Sequence, residues 1–159
     1  MHDDMKTIAT ESPAAADLLG YCNNASLRKA ARQLGKLYDD VLEPSGIKAT
    51  QCSMLTQIYD LKNPTMAELA RSLLMDLSAM RHSLGPLIRD GLVRLRADAK
   101  DGRVKRVVLT RAGVAKFEEA MTLWRQAQGR LETALGAARA TALRSELKFL
   151  ASDGFKDAF

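Results

Sequence analysis

Residues 65–110, TMAELARSLLMDLSAMRHSLGPLIRDGLVRLRADAKDGRVKRVVLT, decide how the chain folds. Thr65 and Glu68 have the capping-box spacing, in which a hydroxyl and a carboxylate three residues apart satisfy each other's orphan amides. The helix they open carries Met66, Leu69, Ala70 and Leu73 on one side. A break at Leu74-Met75-Asp76 follows, with Asp76 as the cap of a second helix whose Met80, Leu84, Leu87 and Ile88 point inward. So short a break forces the two helices to cross steeply, as in a helix-turn-helix. Gly85-Pro86 within the second helix predicts a kink, because proline removes a hydrogen bond and crowds the preceding turn. Gly91 ends it, and residues 92–96 alternate, Val93 and Leu95 against Arg94 and Arg96. Asp101-Gly102 predicts a two-residue hairpin turn, with a return strand from Val104 to Leu109 that alternates again.

Charge is gathered on this stretch. Residues 71–111 hold ten Lys and Arg (Arg71, Arg81, Arg89, Arg94, Arg96, Lys100, Arg103, Lys105, Arg106, Arg111) against Asp76, Asp90, Asp98 and Asp101, a net +6. The whole chain is +5, so the remainder sums to −1. A polyanion, double-stranded DNA above all, is the partner this asymmetry predicts.

With 159 residues, 47% of them apolar, the chain reads as a single domain that buries a real core. Aromatics are only 5%, so Ala, Leu and Met do the packing, which suits helices. No apolar run approaches the ~20 residues needed to cross a bilayer, and the acidic amino terminus is unlike a signal peptide. A cytoplasmic protein without membrane contact is expected. Two cysteines, Cys22 and Cys52, make neither a disulfide framework nor a metal knuckle, and two histidines are too few for a His-rich site. No metal or cofactor is expected.

Outside the central stretch, residues 1–20 read as a loose arm, helical from Ala14 onward. Ser26 caps an amphipathic helix carrying Leu27, Ala30, Ala31, Leu34, Leu37, Tyr38, Val41 and Leu42, with Arg28, Lys29, Arg32, Gln33 and Lys36 opposite. Pro44, Ser45 and Gly46 end it; Thr50 is the next cap candidate, and that helix runs to Asn63-Pro64. Thr110 caps a long helix over 111–135, and a last one over 141–150 buries Leu143, Leu147 and Leu150. The apolar stripes of the first and last helices exceed what the central module covers, so a second copy is expected to interdigitate with them as a two-fold dimer. The alternative is a monomer whose terminal helices fold back on their own module.

From Ser26 to Leu150 the chain resembles the MarR family of dimeric winged-helix regulators. The resemblance is carried by Thr65, Glu68, Leu69 and Ala70, by Asp76 and Ser78, by Asp90-Gly91-Leu92-Val93, and most specifically by Asp101-Gly102-Arg103 followed by Leu109-Thr110-Arg111-Ala112-Gly113. It implies a mainly α (α+β) fold, a winged helix-turn-helix over 48–110 with dimerisation helices over 21–47 and 111–152, and a tail over 153–159. It also implies a homodimer on a pseudo-palindromic operator, a repressor released by a small ligand or oxidant.

The N-terminal part of the second helix of such a motif meets base edges in the major groove. Here that is Leu77, Ser78, Ala79, Arg81, His82 and Ser83, with Arg81 suited to guanine and Ala79 to a thymine methyl. Arg103 at the hairpin tip suits a minor groove, Asp101 pairs with it or shapes the turn, and Lys100, Lys105 and Arg106 supply backbone contacts. Tyr38, Met54, Ile58 and Phe117 are the candidate effector pocket, read from topology, against ordinary core positions. One branch of the family senses hydroperoxides through an amino-terminal cysteine steadied by tyrosines. Cys22 has that location, near Tyr21 and Tyr38, but residues 48–52 lack the tyrosines of that branch, and free cysteine is commonly just buried. An enzyme finds no support: there is no Ser/His/Asp arrangement, metal spacing or phosphate loop. The remaining rival is a dimeric winged-helix interaction module without specific DNA binding.

Overall fold

The structure is a computed structural model that describes residues 20–159. All of the expected arm except Gly20, and with it the helix expected from Ala14, lies outside the described residues. Two compact units divide the chain, residues 1–36 and 37–159. The described elements are α1 (Asn23–Leu42), a 3-10 turn (Glu43–Ser45), α2 (Ala49–Asp60), α3 (Met66–Ser72), α4 (Leu77–Arg89), β1 (Val93–Ala97), β2 (Lys105–Leu109), α5 (Arg111–Leu135), α6 (Ala137–Leu150) and α7 (Asp153–Ala158). The order is the expected one, with a short final helix where a tail was expected.

In the first unit α1 begins before its expected cap. Ser26 N–H donates to the Cys22 carbonyl at 3.0 Å, which puts Ser26 inside the helix. Leu27, Ala30 and Ala31 lie exposed along it.

The second unit builds its core from α2, α3, α4 and the hairpin. Leu55, Ile58, Leu69, Met80, Leu84, Leu87, Val93 and Val107 are essentially fully buried. Helix α2 starts at Ala49 with Lys48, not Thr50, at its cap position: the Ala49 amide donates to Asp39 Oδ1 at 2.7 Å, and Lys48 N–H donates to the Gln51 side chain at 2.8 Å. Thr65 and Glu68 form the expected capping box, at 3.2 and 2.7 Å. Leu74 makes the turn between α3 and α4 at φ 51°, a left-handed setting. Asp76 Oδ1 then accepts from Ala79 N–H at 2.7 Å to open α4, which runs unbroken through Pro86 and neither ends nor restarts there.

The hairpin pairs antiparallel, with Val93 opposite Leu109 and Arg96 opposite Arg106. Its loop departs from expectation. Seven residues, 98–104, join the strands, and the turn closes by Val104 N–H donating to the Asp101 carbonyl at 2.9 Å. Gly102 is not in the left-handed region that a two-residue Asp-Gly turn requires. Nor is burial cleanly alternating: Val107 and Val108 are both buried because both faces of the hairpin base are covered, whereas Leu95 stands open.

Helix α5 is docked on the end of the helix-turn-helix and hairpin. The Thr110 hydroxyl donates to the Gly91 carbonyl at 2.6 Å and accepts from Gly113 N–H at 3.0 Å. A Cβ on Gly113 would lie 1.9 Å from the Leu92 carbonyl oxygen, so only glycine permits this approach. Tyr59 stacks on Phe117 with centroids 4.6 Å apart, tying α2 to α5. A polar chain joins α1, α5 and α6: Tyr38 Oη donates to Gln128 Oε1 at 2.7 Å, Gln128 Nε2 to Glu132 Oε1 at 3.0 Å, and Arg144 to the same carboxylate at 2.8 Å. Burial raises the Tyr38 phenol above its ordinary value, with Glu132 adding to the effect. Helix α6 begins at Ala137, and Leu143, Leu147 and Leu150, expected to be buried, are 37–43% exposed in the single chain.

Candidate nucleic-acid interface

Helix α4 is amphipathic, with Met80, Leu84 and Leu87 seated in the core, while Ile88, expected inward, is 37% exposed. Leu77, Ser78, Arg81 and His82 are exposed, while Ala79 and Ser83 are half-buried. At 3.6 residues per turn, Ala79 and Ser83 stack on one flank, each ~160° around the helix from Arg81. The expected reading set therefore spans two flanks of α4. Ser83, with His82 and Pro86, lines a cavity of about 500 Å3 together with Lys48, Thr50, Gln51, Ser53, Met54, Leu73 and Met75. Ser83 therefore lies on the opposite flank of α4 from Arg81, with His82 between them.

In the hairpin, Asp101 both pairs with Arg103 and shapes the turn. Its Oδ1 accepts from Arg103 N–H at 3.0 Å and from Arg103 Nε at 3.3 Å. The Arg103 side chain is 95% exposed at the tip, and Lys100 and Lys105 are exposed beside it. Arg106 departs from expectation: it is half-buried and turned inward. Its Nε donates to Asp98 Oδ2, its guanidinium also donates to the Asn63 carbonyl at 3.0 Å, and Glu68 lies at 4.0 Å. With Nε and Nη1 bonded inward, Arg106 offers less of its guanidinium to a phosphate than Lys100 and Lys105 offer of their ammonium groups.

Asp98 is the residue that sequence reasoning missed. Its Oδ1 accepts from the backbone of Lys100 at 2.8 Å and of Asp101 at 3.2 Å. Those backbone bonds, Lys100 first, and Arg106 hold its carboxyl down at about 2. The available signal was a carboxylate directly after the strand, two and three residues before the turn amides, which is Asx-turn spacing.

Of the four candidate pocket residues, Met54 and Ile58 belong to one core cluster against which Phe117 packs. Met54 lines the cavity against α4, Ile58 is core, Phe117 is stacked on Tyr59, and Tyr38 is bonded to Gln128. Cys22 is exposed beside the first turn of α1, where its sulfur accepts from Ala25 N–H at 3.5 Å. Cys52 is buried, and burial raises its thiol above the ordinary value. Among the described residues no helix is long and apolar enough to cross a membrane.

The sequence profile of the MarR family matches residues 45–104. The transcriptional regulator MOSR of M. tuberculosis, solved in complex with DNA, is 36% identical over 87% of this chain and 99% of its own, with a TM-score of 0.76. A mutant of MarR from E. coli complexed with operator DNA is 25% identical over 87% and 99%, also at TM-score 0.76. The transcriptional repressor CouR, bound to p-coumaroyl-CoA, is alike in fold: 22% identity over 85% and 95%, TM-score 0.76. No curated protein sequence matches the chain. The profile match across the helix-turn-helix and the hairpin loop, with 36% identity to MOSR over 87% of the chain, makes this chain a member of the MarR family of transcriptional regulators.

Proposed function

We propose that the protein is a homodimeric repressor that binds a pseudo-palindromic operator and releases it when a small ligand binds. The observation that carries the reading is the pairing of an outward Arg81 on α4 with a 95% exposed Arg103 at the wing tip, within a stretch of net +6. Leu77, Ser78, Arg81 and His82 meet base edges, and Arg81 takes guanine through its fork of donors. Arg103 enters the minor groove, and Lys100 and Lys105 hold phosphates. Solved complexes of MOSR and MarR with DNA support this assignment. It places the protein in the cytoplasm, where its DNA is.

A second copy covers the open apolar positions Leu27, Leu37, Leu143 and Leu147. Effector binding belongs in the cavity that reaches His82 and Ser83, because a molecule there touches the reading helix itself. The CouR complex supports a ligand-bound state for this fold. A second reading, redox control, draws on the exposed Cys22. Peroxide that released DNA equally from the wild type and Cys22→Ser would end it.

The test is a titration of a labelled fragment from the protein's own upstream region against a scrambled fragment, over a range of salt. Affinity for the native fragment should fall steeply, with a slope of about −0.9 per phosphate neutralised. Equal affinity for both fragments would leave only the interaction-module reading.

A further inference from the structure

We infer that Arg106 is a positioning residue for the wing, and that its pair with Asp98 sets where Arg103 is presented. The inference rests on the reading above that Arg103 enters a groove. Arg106 belongs to β2, yet it touches three separate parts of the reading module: Asp98 in the loop, the Asn63 carbonyl ahead of α3, and the Glu68 carboxylate that caps α3. The backbone follows the same route. Thr65 bridges to Arg106, and Val107 N–H donates to the Pro64 carbonyl at 2.8 Å.

From Arg106 the contacts run outward in steps. Asp98 Oδ1 accepts the Lys100 and Asp101 amides, and Asp101 Oδ1 accepts the amide and Nε of Arg103. Each step has a charged partner, which makes these the stronger class of hydrogen bond. The inward setting of Arg106 is not its default. Arg96 stands directly opposite it across the strands, and facing like charges repel. Asp98 supplies the compensating charge, and its own side chain is only 11% exposed. A rigid guanidinium fork spans these acceptors as an ammonium cannot.

The test is a double-mutant cycle on the full-length dimer, read as affinity for the operator fragment. Arg106→Ala should weaken binding by about tenfold in the wild type, and by less than about twofold once Arg103 is already Ala. The same loss in both backgrounds would mean an independent contact and overturn the inference. Asp98→Asn, which removes the pairing charge and disturbs the fold less, should show the same dependence on Arg103; unchanged affinity would overturn it too. If Arg103→Ala alone leaves affinity unchanged, the wing is not in the interface, and it is the underlying reading that has failed.

Discussion

Two residues show how much local chemistry the winged module uses. Asp98 has its carboxyl depressed to about 2, chiefly by the Lys100 amide and then by Arg106. A depressed carboxyl contributes order above its unfolded value and loses it as pH falls through the folded one, here from about 4 toward 2. An NMR titration should place its midpoint near 2, and Arg106→Ala should raise it without reaching the ordinary value, since the backbone bonds remain. Leu74 is the opposite case, a large apolar side chain, 72% exposed, held at φ 51°. A left-handed setting costs a non-glycine residue ~1–2 kcal/mol, and little packing is lost by cutting it back. Against that stands the added freedom glycine gives the unfolded chain, up to ~1 kcal/mol. Leu74→Gly should therefore leave stability unchanged or raise it by up to ~1 kcal/mol in urea unfolding, whereas a loss beyond ~1 kcal/mol would contradict this account.

At the scale of elements, what could be read from sequence is what is satisfied within three or four residues. The caps at Thr65, Asp76 and Thr110 all bond an amide three positions on, so their spacing is visible in the chain itself. The start of α2 is marked locally by Lys48 N–H bonding the Gln51 side chain, while its other partner, Asp39, lies ten residues back and leaves no trace in the spacing. The wing was misread for a related reason: Asp-Gly suggested a tight turn, while Asp98 and Arg106, eight apart, organise a longer loop. Likewise Arg106 and Arg103 look alike in sequence, and each has an aspartate beside it; only burial separates them, the Arg106 side chain being 35% exposed and that of Arg103 95%. Gly113 was legible only as a shared motif; its cause is the Leu92 carbonyl, which a Cβ would meet at 1.9 Å. That carbonyl is backbone at the strand entrance and cannot yield cheaply. Gly113→Ala should cost at least ~2 kcal/mol, in the range of an overpacked core, and unfolding of the variant in denaturant measures it. It should also uncouple α5 from the reading module, since Thr110 closes the same joint.

For the whole molecule, the proposed division of labour is between a charged module that reads DNA and apolar helices that set the distance between two copies of it. Leu143 and Leu147 stand open on α6 of the single chain, as Leu27 and Leu37 do on α1. In a two-fold assembly Leu143→Glu should shift sedimentation toward the monomer and weaken operator binding together, because one reader alone makes half the contacts. A monomeric wild type would remove the argument for paired half-sites. The central claim is that two copies of α4 read a symmetric site through Arg81, and a single-base substitution scan of the operator tests it most directly. Wild-type affinity should dip at two symmetric clusters about one helical turn, ~34 Å, apart, with each wrong base costing ~1–3 kcal/mol. In Arg81→Ala the dips at the guanine positions should flatten while the rest of the profile survives. A profile without symmetric dips, or one that Arg81→Ala leaves unchanged, would contradict the account.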